Sequence, residues 1–262
     1  MCKYKIQDLL GIMTKLRGER GCPWDKAQTH ETLRPYVVEE AYEVVDAIDR
    51  GNINDLEEEL GDLLLQVVFH CRLAEESGRF TFEDVVDGVC KKMVRRHPHI
   101  FGDVKVNNSG EVLKNWEDIK QDEKELKSHA ESMANIPKAM PALMRAFKVQ
   151  EKAARVGFDW DDIDDVMNKV FEEVEELNEV YKGNNRDRIK DELGDLLFAV
   201  VNVSRFLGIN PELAIEGTIQ KFIRRFGFVE REALKKDKDL QTMTLQEMDR
   251  LWDKGKKQEK KF

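Results

Sequence analysis

Residues 58–67, EELGDLLLQV, and residues 191–200, DELGDLLFAV, are two versions of one stretch. Placing Glu192 on Glu59 sets an offset of 133, and the same offset places Glu172 on Glu39, Glu173 on Glu40, Glu176 on Glu43 and Asp195 on Asp62. Downstream, KFIRRF (221–226) matches KMVRRH (92–97) at an offset of 129, and WDKGKKQEK (252–260) resembles WEDIKQDEK (116–124). A long-period repeat constrains a fold more than any local pattern, because whatever one copy forms the other must form too. The chain is expected to hold two tandem copies of one domain. They cover residues 1–128 and 137–262, joined by a linker over 129–136, where HAESMANI loses the helical pattern.

Each copy reads as helices. Charged residues make up 36% of the chain, there are only 6 prolines, and β-branched runs are scarce. The first copy is expected to form helices near 4–17, 33–49, 54–77, 81–96 and 110–128, with Gly51-Asn52 as a stop and Pro98 ending the fourth. The second is expected to form them near 138–155, 162–181, 186–207, 211–235 and 245–260. TFED at Thr81 and TLQE at Thr244 read as capping boxes, and Asn210-Pro211 reads as an N-cap followed by proline at the first helical position. The fold class is all-α: two tandem helical bundles.

A net charge of −9 argues against nucleic acid or an anionic membrane as a general partner. Cys2, Cys22, Cys71 and Cys90 form no CxxC and no spaced pair, so neither a zinc knuckle nor a disulfide framework is expected. MCKYKIQDLLGIM meets Asp8 too early for a signal peptide, and no apolar run reaches membrane-spanning length. These features predict a soluble, cytoplasmic protein with reduced thiols.

The acids pose the functional question. Leucine-rich helical stretches are normally buried, and buried carboxylates are costly unless something pairs with them. Glu173 and Glu176 are three apart and project from one helix face, and Glu192 and Asp195 do the same on the next. The short KGNN turn makes those helices antiparallel neighbours, so the two pairs face each other across the seam. Four carboxylates converging in an apolar groove must either take up protons or hold cations. A single acid pair at this spacing is usually a solvated face or a salt bridge. Here the quartet recurs as Glu40, Glu43, Glu59 and Asp62 with the same internal spacing, embedded each time in LGDLL. An all-oxygen set favours Mg²⁺ or Mn²⁺, and the absence of histidine from these positions argues against di-iron chemistry. Mg²⁺ held by carboxylates takes phosphate oxygens among its remaining ligands. Lys221, Arg224 and Arg225 on the following helix offer a cationic counterpart. Trp160 and Trp252 can each be read as base-stacking or as core.

With Glu172-Glu173-x-x-Glu176 and Glu192-x-x-Asp195 set in LGDLL, with CPWD near the start and RRHPHIF after the fourth helix, the chain resembles the MazG family of nucleoside triphosphate pyrophosphohydrolases. The resemblance covers essentially the whole chain. It implies Mg²⁺-dependent cleavage of the α–β phosphoanhydride of NTPs and dNTPs to a monophosphate and pyrophosphate, in control of nucleotide pools. By position it implies Glu173, Glu176, Glu192 and Asp195 as metal ligands, with Glu172 or Glu173 taking a proton from water. It also implies nucleotide contacts from the segments carrying Lys169, Glu172, Arg188, Lys190, Asp191, Lys221, Arg224, Arg225 and Trp252. Intertwined helical homodimers are the family's assembly, which implies a site completed by a second chain. A narrow-specificity dUTP, dCTP or phosphoribosyl-ATP pyrophosphatase is the rival within enzymes, and a non-catalytic nucleotide-binding regulator is the rival outside them.

The copies differ between their acid pairs. NDLEEE leads into Glu59 with Asp55, Glu57 and Glu58, whereas NRDRIKDE leads into Glu192 with Arg186, Arg188 and Lys190. A triphosphate should prefer the second. Residues 137–262 are therefore expected to be the main catalytic domain, with the first copy weaker, differently selective or regulatory.

Overall fold

In a computed structural model of the chain, residues 3–123 and 128–259 are described. Cys2, the 124–127 end of the expected fifth helix and Lys260 fall outside that range. Every regular element among the described residues is a helix, and the chain divides into two compact units, Met1–Lys124 and Glu125–Phe262.

The first unit contains α1 (Ile6–Arg17), α2 (Pro23–Ala27), α3 (His30–Arg50), α4 (Ile53–Glu76), α5 (Phe82–Arg96), α6 (Pro98–Phe101) and α7 (Ser109–Asp122). α3 and α4 form the central hairpin. Gly51 ends α3 in the left-handed region at φ 65°, where a Cβ would strain the backbone, and Asn52 caps α4 through its side-chain oxygen. α1 and α5 pack on α4, closing a core of Met13, Leu33, Val68 and Phe69 with Leu9, Leu10 and Leu73 around it. α3 begins three residues earlier than the periodicity predicts. Its start is set by Thr29, whose hydroxyl accepts from the Thr32 amide at 3.3 Å while the Thr32 hydroxyl accepts from the Thr29 amide at 2.8 Å.

The second unit contains α8 (His129–Ala134), α9 (Ala142–Ala154), α10 (Ile163–Val180), α11 (Arg186–Phe206), α12 (Pro211–Leu234), a 3₁₀ turn at Leu240–Thr242 and α13 (Leu245–Glu259). The same hairpin recurs as α10 and α11, with α9 packed on α11 and α12. A second core forms where Val229 and Ala233 of α12 meet Leu251 of α13. Both anticipated capping boxes are present: Thr81 with Asp84, and Thr244 with Glu247. Asn210 caps α12 with Pro211 at its first position. The stretch 129–136, expected as a linker, carries α8. Ser128 caps that helix, Ser132 and Ile136 are buried, and it packs on α9. One turn and a half of helix is too short to leave a periodic signal.

Candidate active site

Hairpin geometry delivers the acids to one another. In the second unit α10 contributes Glu173 and α11 contributes Glu192 and Asp195, and each places a carboxylate oxygen within 4.8 Å of the others. Glu173 is only 5% exposed, and its Oε2 is buried without a hydrogen-bond partner among the described residues. Its Oε1 accepts from Lys169 Nζ at 2.8 Å, and Glu172 Oε1 takes the same ammonium at 2.7 Å. Those two bonds, Glu172 first, hold the Lys169 ammonium well above the ordinary lysine range. Glu176 lies one turn along. Partial desolvation pushes its carboxyl up, followed by the charges of Glu173 and Glu192. Arg188 Nε stands 3.6 Å from Glu192 Oε1.

An apolar-walled cavity of about 860 Å³ opens beside the acids. Glu173, Asp195 and Lys169 line one part of it, and Gln150, Phe158, Trp160, Ala199 and Asn202 line others. Trp160 is 46% exposed, so it walls a cavity rather than plugging a core. Arg205 joins α11 to the 157–160 loop: its Nη1 donates to Asp159 Oδ2 at 3.0 Å, and its Nε donates to Asn202 Oδ1 at 2.9 Å.

The first unit also gathers acids across its hairpin, but two come from α3 and one from α4, and Asp62 is not among them. Glu40, Glu43 and Glu59 lie within 4.8 Å of one another. Burial pushes Glu40 up, with Asp62 and Glu43 adding to it, and desolvation followed by Glu43 raises Glu59. Around them, however, the space is occupied. At the repeat offset, Gln66 stands where the second unit has Ala199 and Phe69 where it has Asn202, and both are buried. Gln66 Nε2 donates to Glu40 Oε1 at 3.4 Å, and the Arg17 guanidinium lies 5.5 Å from the Phe69 ring centre. Lys169 is replaced by Tyr36.

The remaining expected residues divide. Arg188, Lys190 and Asp191 are exposed in the first turns of α11. Lys221, Arg224, Arg225 and Trp252 do not line the cavity within this chain. Arg225 Nε donates to Glu259 Oε2 at 2.7 Å and its guanidinium lies 5.8 Å from the Trp252 ring centre. Trp252 also meets Phe222 at 5.1 Å and packs on the α12–α13 core. The first unit repeats this clamp, with Arg96 bonded to Glu123 and set over Trp116. Gln150, Asn202, Asp159 and Arg205 escaped the sequence reading. The signal that could have found Asn202 is a substitution that breaks the repeat inside otherwise matching helices, Phe69/Asn202, one turn on from Gln66/Ala199.

A family model described as the MazG nucleotide pyrophosphohydrolase domain matches residues 28–101 and 162–227. The chain is 45% identical over 260 residues to an Escherichia coli protein named nucleoside triphosphate pyrophosphohydrolase, covering 97% of this chain and 98% of that one. It is 44% identical over 251 residues to a Thermotoga maritima protein named nucleoside triphosphate pyrophosphohydrolase/pyrophosphatase MazG, covering 96% and 95%. A Bacillus subtilis protein, YabN, described as uncharacterized, is 48% identical over 259 residues, 98% of this chain and 53% of its own length.

Proposed function

Because the chain belongs to the MazG nucleotide pyrophosphohydrolase family, we propose that its second unit hydrolyses nucleoside triphosphates between the α and β phosphates, releasing a nucleoside monophosphate and pyrophosphate. The observation that carries this reading is the acid cluster of Glu173, Glu192 and Asp195 opening onto a cavity that also presents Lys169. These acids suit a hard cation, because every donor is a carboxylate oxygen and Glu173 Oε2 is a buried acceptor without a partner among the described residues. Glu173, Glu176, Glu192 and Asp195 would hold Mg²⁺, with Mn²⁺ as a substitute. Such an ion supplies charge neutralisation on the triphosphate and makes water more acidic.

The chain's own residues do the rest. Lys169, tied to Glu172 and Glu173, fixes both carboxylates in orientation. Glu172, far more exposed than Glu173, is our choice to take the proton from the attacking water. Arg188 and Lys190 add positive charge where the first unit has acids, and so favour the polyphosphate chain. The basic residues Lys221, Arg224 and Arg225 fit the same reading if a second copy supplies them. Phe171, Val174, Leu197, Phe222 and Ile223 are exposed on α10, α11 and α12, an apolar surface suited to burial in a homodimer.

The test is pyrophosphate release from a panel of ribo- and deoxyribonucleoside triphosphates, dUTP and dCTP included, with and without Mg²⁺. Turnover of several bases that stops on chelation is the expected result. Turnover of one base alone would place the protein among narrow-specificity pyrophosphatases, and tight binding without turnover would make it a regulator.

A further inference from the structure

The catalytic reading leaves one polar atom of the cavity unexplained. Gln150 lies on α9, is 7% exposed, and lines the same cavity as Glu173, Lys169 and Asp195. Its Nε2 donates to the Phe198 carbonyl oxygen of α11 at 2.8 Å. A carbonyl can only accept, so this bond fixes which end of the amide is nitrogen and which is oxygen. Oε1 is therefore the end left over, and it is buried with no hydrogen-bond partner among the described residues. An unpaired buried acceptor costs about 1–3 kcal/mol. A site that tolerates that loss in its free state is one in which a ligand can supply the missing donor.

The walls around Gln150 suit a planar ring. Trp160 and Phe158 are exposed aromatics on the 157–160 loop, and Ala199 leaves room where the first unit has a buried glutamine. Asn202 lines the same cavity with its carbonyl oxygen taken by Arg205, leaving its amide nitrogen as the other polar end. We propose that Gln150 Oε1 accepts a hydrogen bond from an N–H group on the edge of the substrate's nucleobase, which makes Gln150 the residue by which the cavity recognises a base. The proposal rests on the cavity being the triphosphate site. Adenine and cytosine offer an amino N–H on that edge, guanine an amino or ring N–H, and uracil and thymine a ring N–H. The contact therefore admits every ordinary base and disfavours rings that lack a donor.

The experiment compares ATP with purine riboside triphosphate, which keeps the ring system and the phosphates but has C–H in place of the amino group. The wild-type protein should hydrolyse the second with a kcat/KM lower by about ten-fold or more, the loss expected for one buried acceptor left unpaired. The Gln150→Leu variant, checked for folding by its thermal melt, should abolish the difference between ATP and the analogue. Equal turnover of the two triphosphates by the wild-type protein, or discrimination that survives in Gln150→Leu, would overturn the assignment. Should the variant fail to fold, the wild-type comparison decides alone. No turnover of either triphosphate would instead sink the catalytic reading on which the assignment rests.

Discussion

The two units carry one acid quartet and two different surroundings. In the second, Ala199 and Asn202 leave an 860 Å³ cavity against Glu173 and Asp195, and Lys169 tethers two of the glutamates. In the first, Gln66 donates to Glu40, Phe69 is buried in the core, and tyrosine stands in place of the lysine. Gathering carboxylates is thus a property of the hairpin alone, shared by both copies. Using them needs room for a ligand and a cation to fix the acids, and these come from a few positions at which the copies have diverged. Duplication supplied the scaffold twice, and substitution opened a cavity beside the acids of the second unit.

The most severe way to break this comparison is to remove one acid at equivalent positions. Glu192→Gln should lower kcat/KM by about a thousand-fold, as expected for losing a group that stabilises developing charge, whereas Glu59→Gln should leave pyrophosphate release within about three-fold of wild type. Comparable losses from both would mean that the units share the work. Next in size is a graft of the first unit's fillers onto the second. Ala199→Gln with Asn202→Phe should raise KM and lower kcat/KM by about a hundred-fold, through occupation of the cavity, with folding checked by circular dichroism. Retention of normal activity would show that the ligand does not enter there. Lys169→Met should cost about ten-fold in kcat/KM.

Two smaller effects concern pH. Glu176 has its carboxyl pushed up by desolvation and neighbouring acids. At pH values below that raised pKa it is protonated, so divalent-ion affinity should weaken as pH falls through it, with protons released on binding. Titration calorimetry in two buffers of different ionisation enthalpy measures that release; no growth of proton release as pH falls would contradict the shift. The least effect is expected in the first unit, where His30 Nδ1 and His70 Nδ1 meet at 2.8 Å with their rings stacked. Burial, and then the His30 charge, pulls His70 below the usual histidine range. The unfolded chain therefore binds more protons than the folded one as pH falls through about 6.5, and stability is present above that pH and lost below it. A slightly lower melting temperature at pH 5.5 than at 7.5 should be erased by replacing His30 and His70 with Ile and Val, the residues at the equivalent positions 163 and 203.

Much of the fold was legible because repeats and periodicity report on helices directly. The hairpins, both capping boxes and the Asn210-Pro211 start follow from local chemistry that the sequence displays. The convergence of three acids in each unit was legible for the same reason, since spacing on two adjacent helices fixes which face each residue takes, while Glu176 and Asp62 stand outside those trios. Partners across longer distances were not. The sequence puts Arg225 on the helix that follows the acids, but its bond to Glu259 and its approach to Trp252 depend on how α12 meets α13, which no local pattern encodes. Gln150 was invisible for a related reason. One glutamine in an amphipathic helix carries no signal until the backbone carbonyl that captures its nitrogen is known.

The most direct test of the central claim is a crystal structure of the protein with Mg²⁺ and a triphosphate whose α–β bridge cannot be cleaved. The account predicts a cation among Glu173, Glu192 and Asp195, with the polyphosphate beside Lys169 and the base within hydrogen-bonding distance of Gln150. A nucleotide bound at Glu40 and Glu59 instead, or an acid cluster in the second unit that stays empty while the nucleotide sits elsewhere, would contradict it.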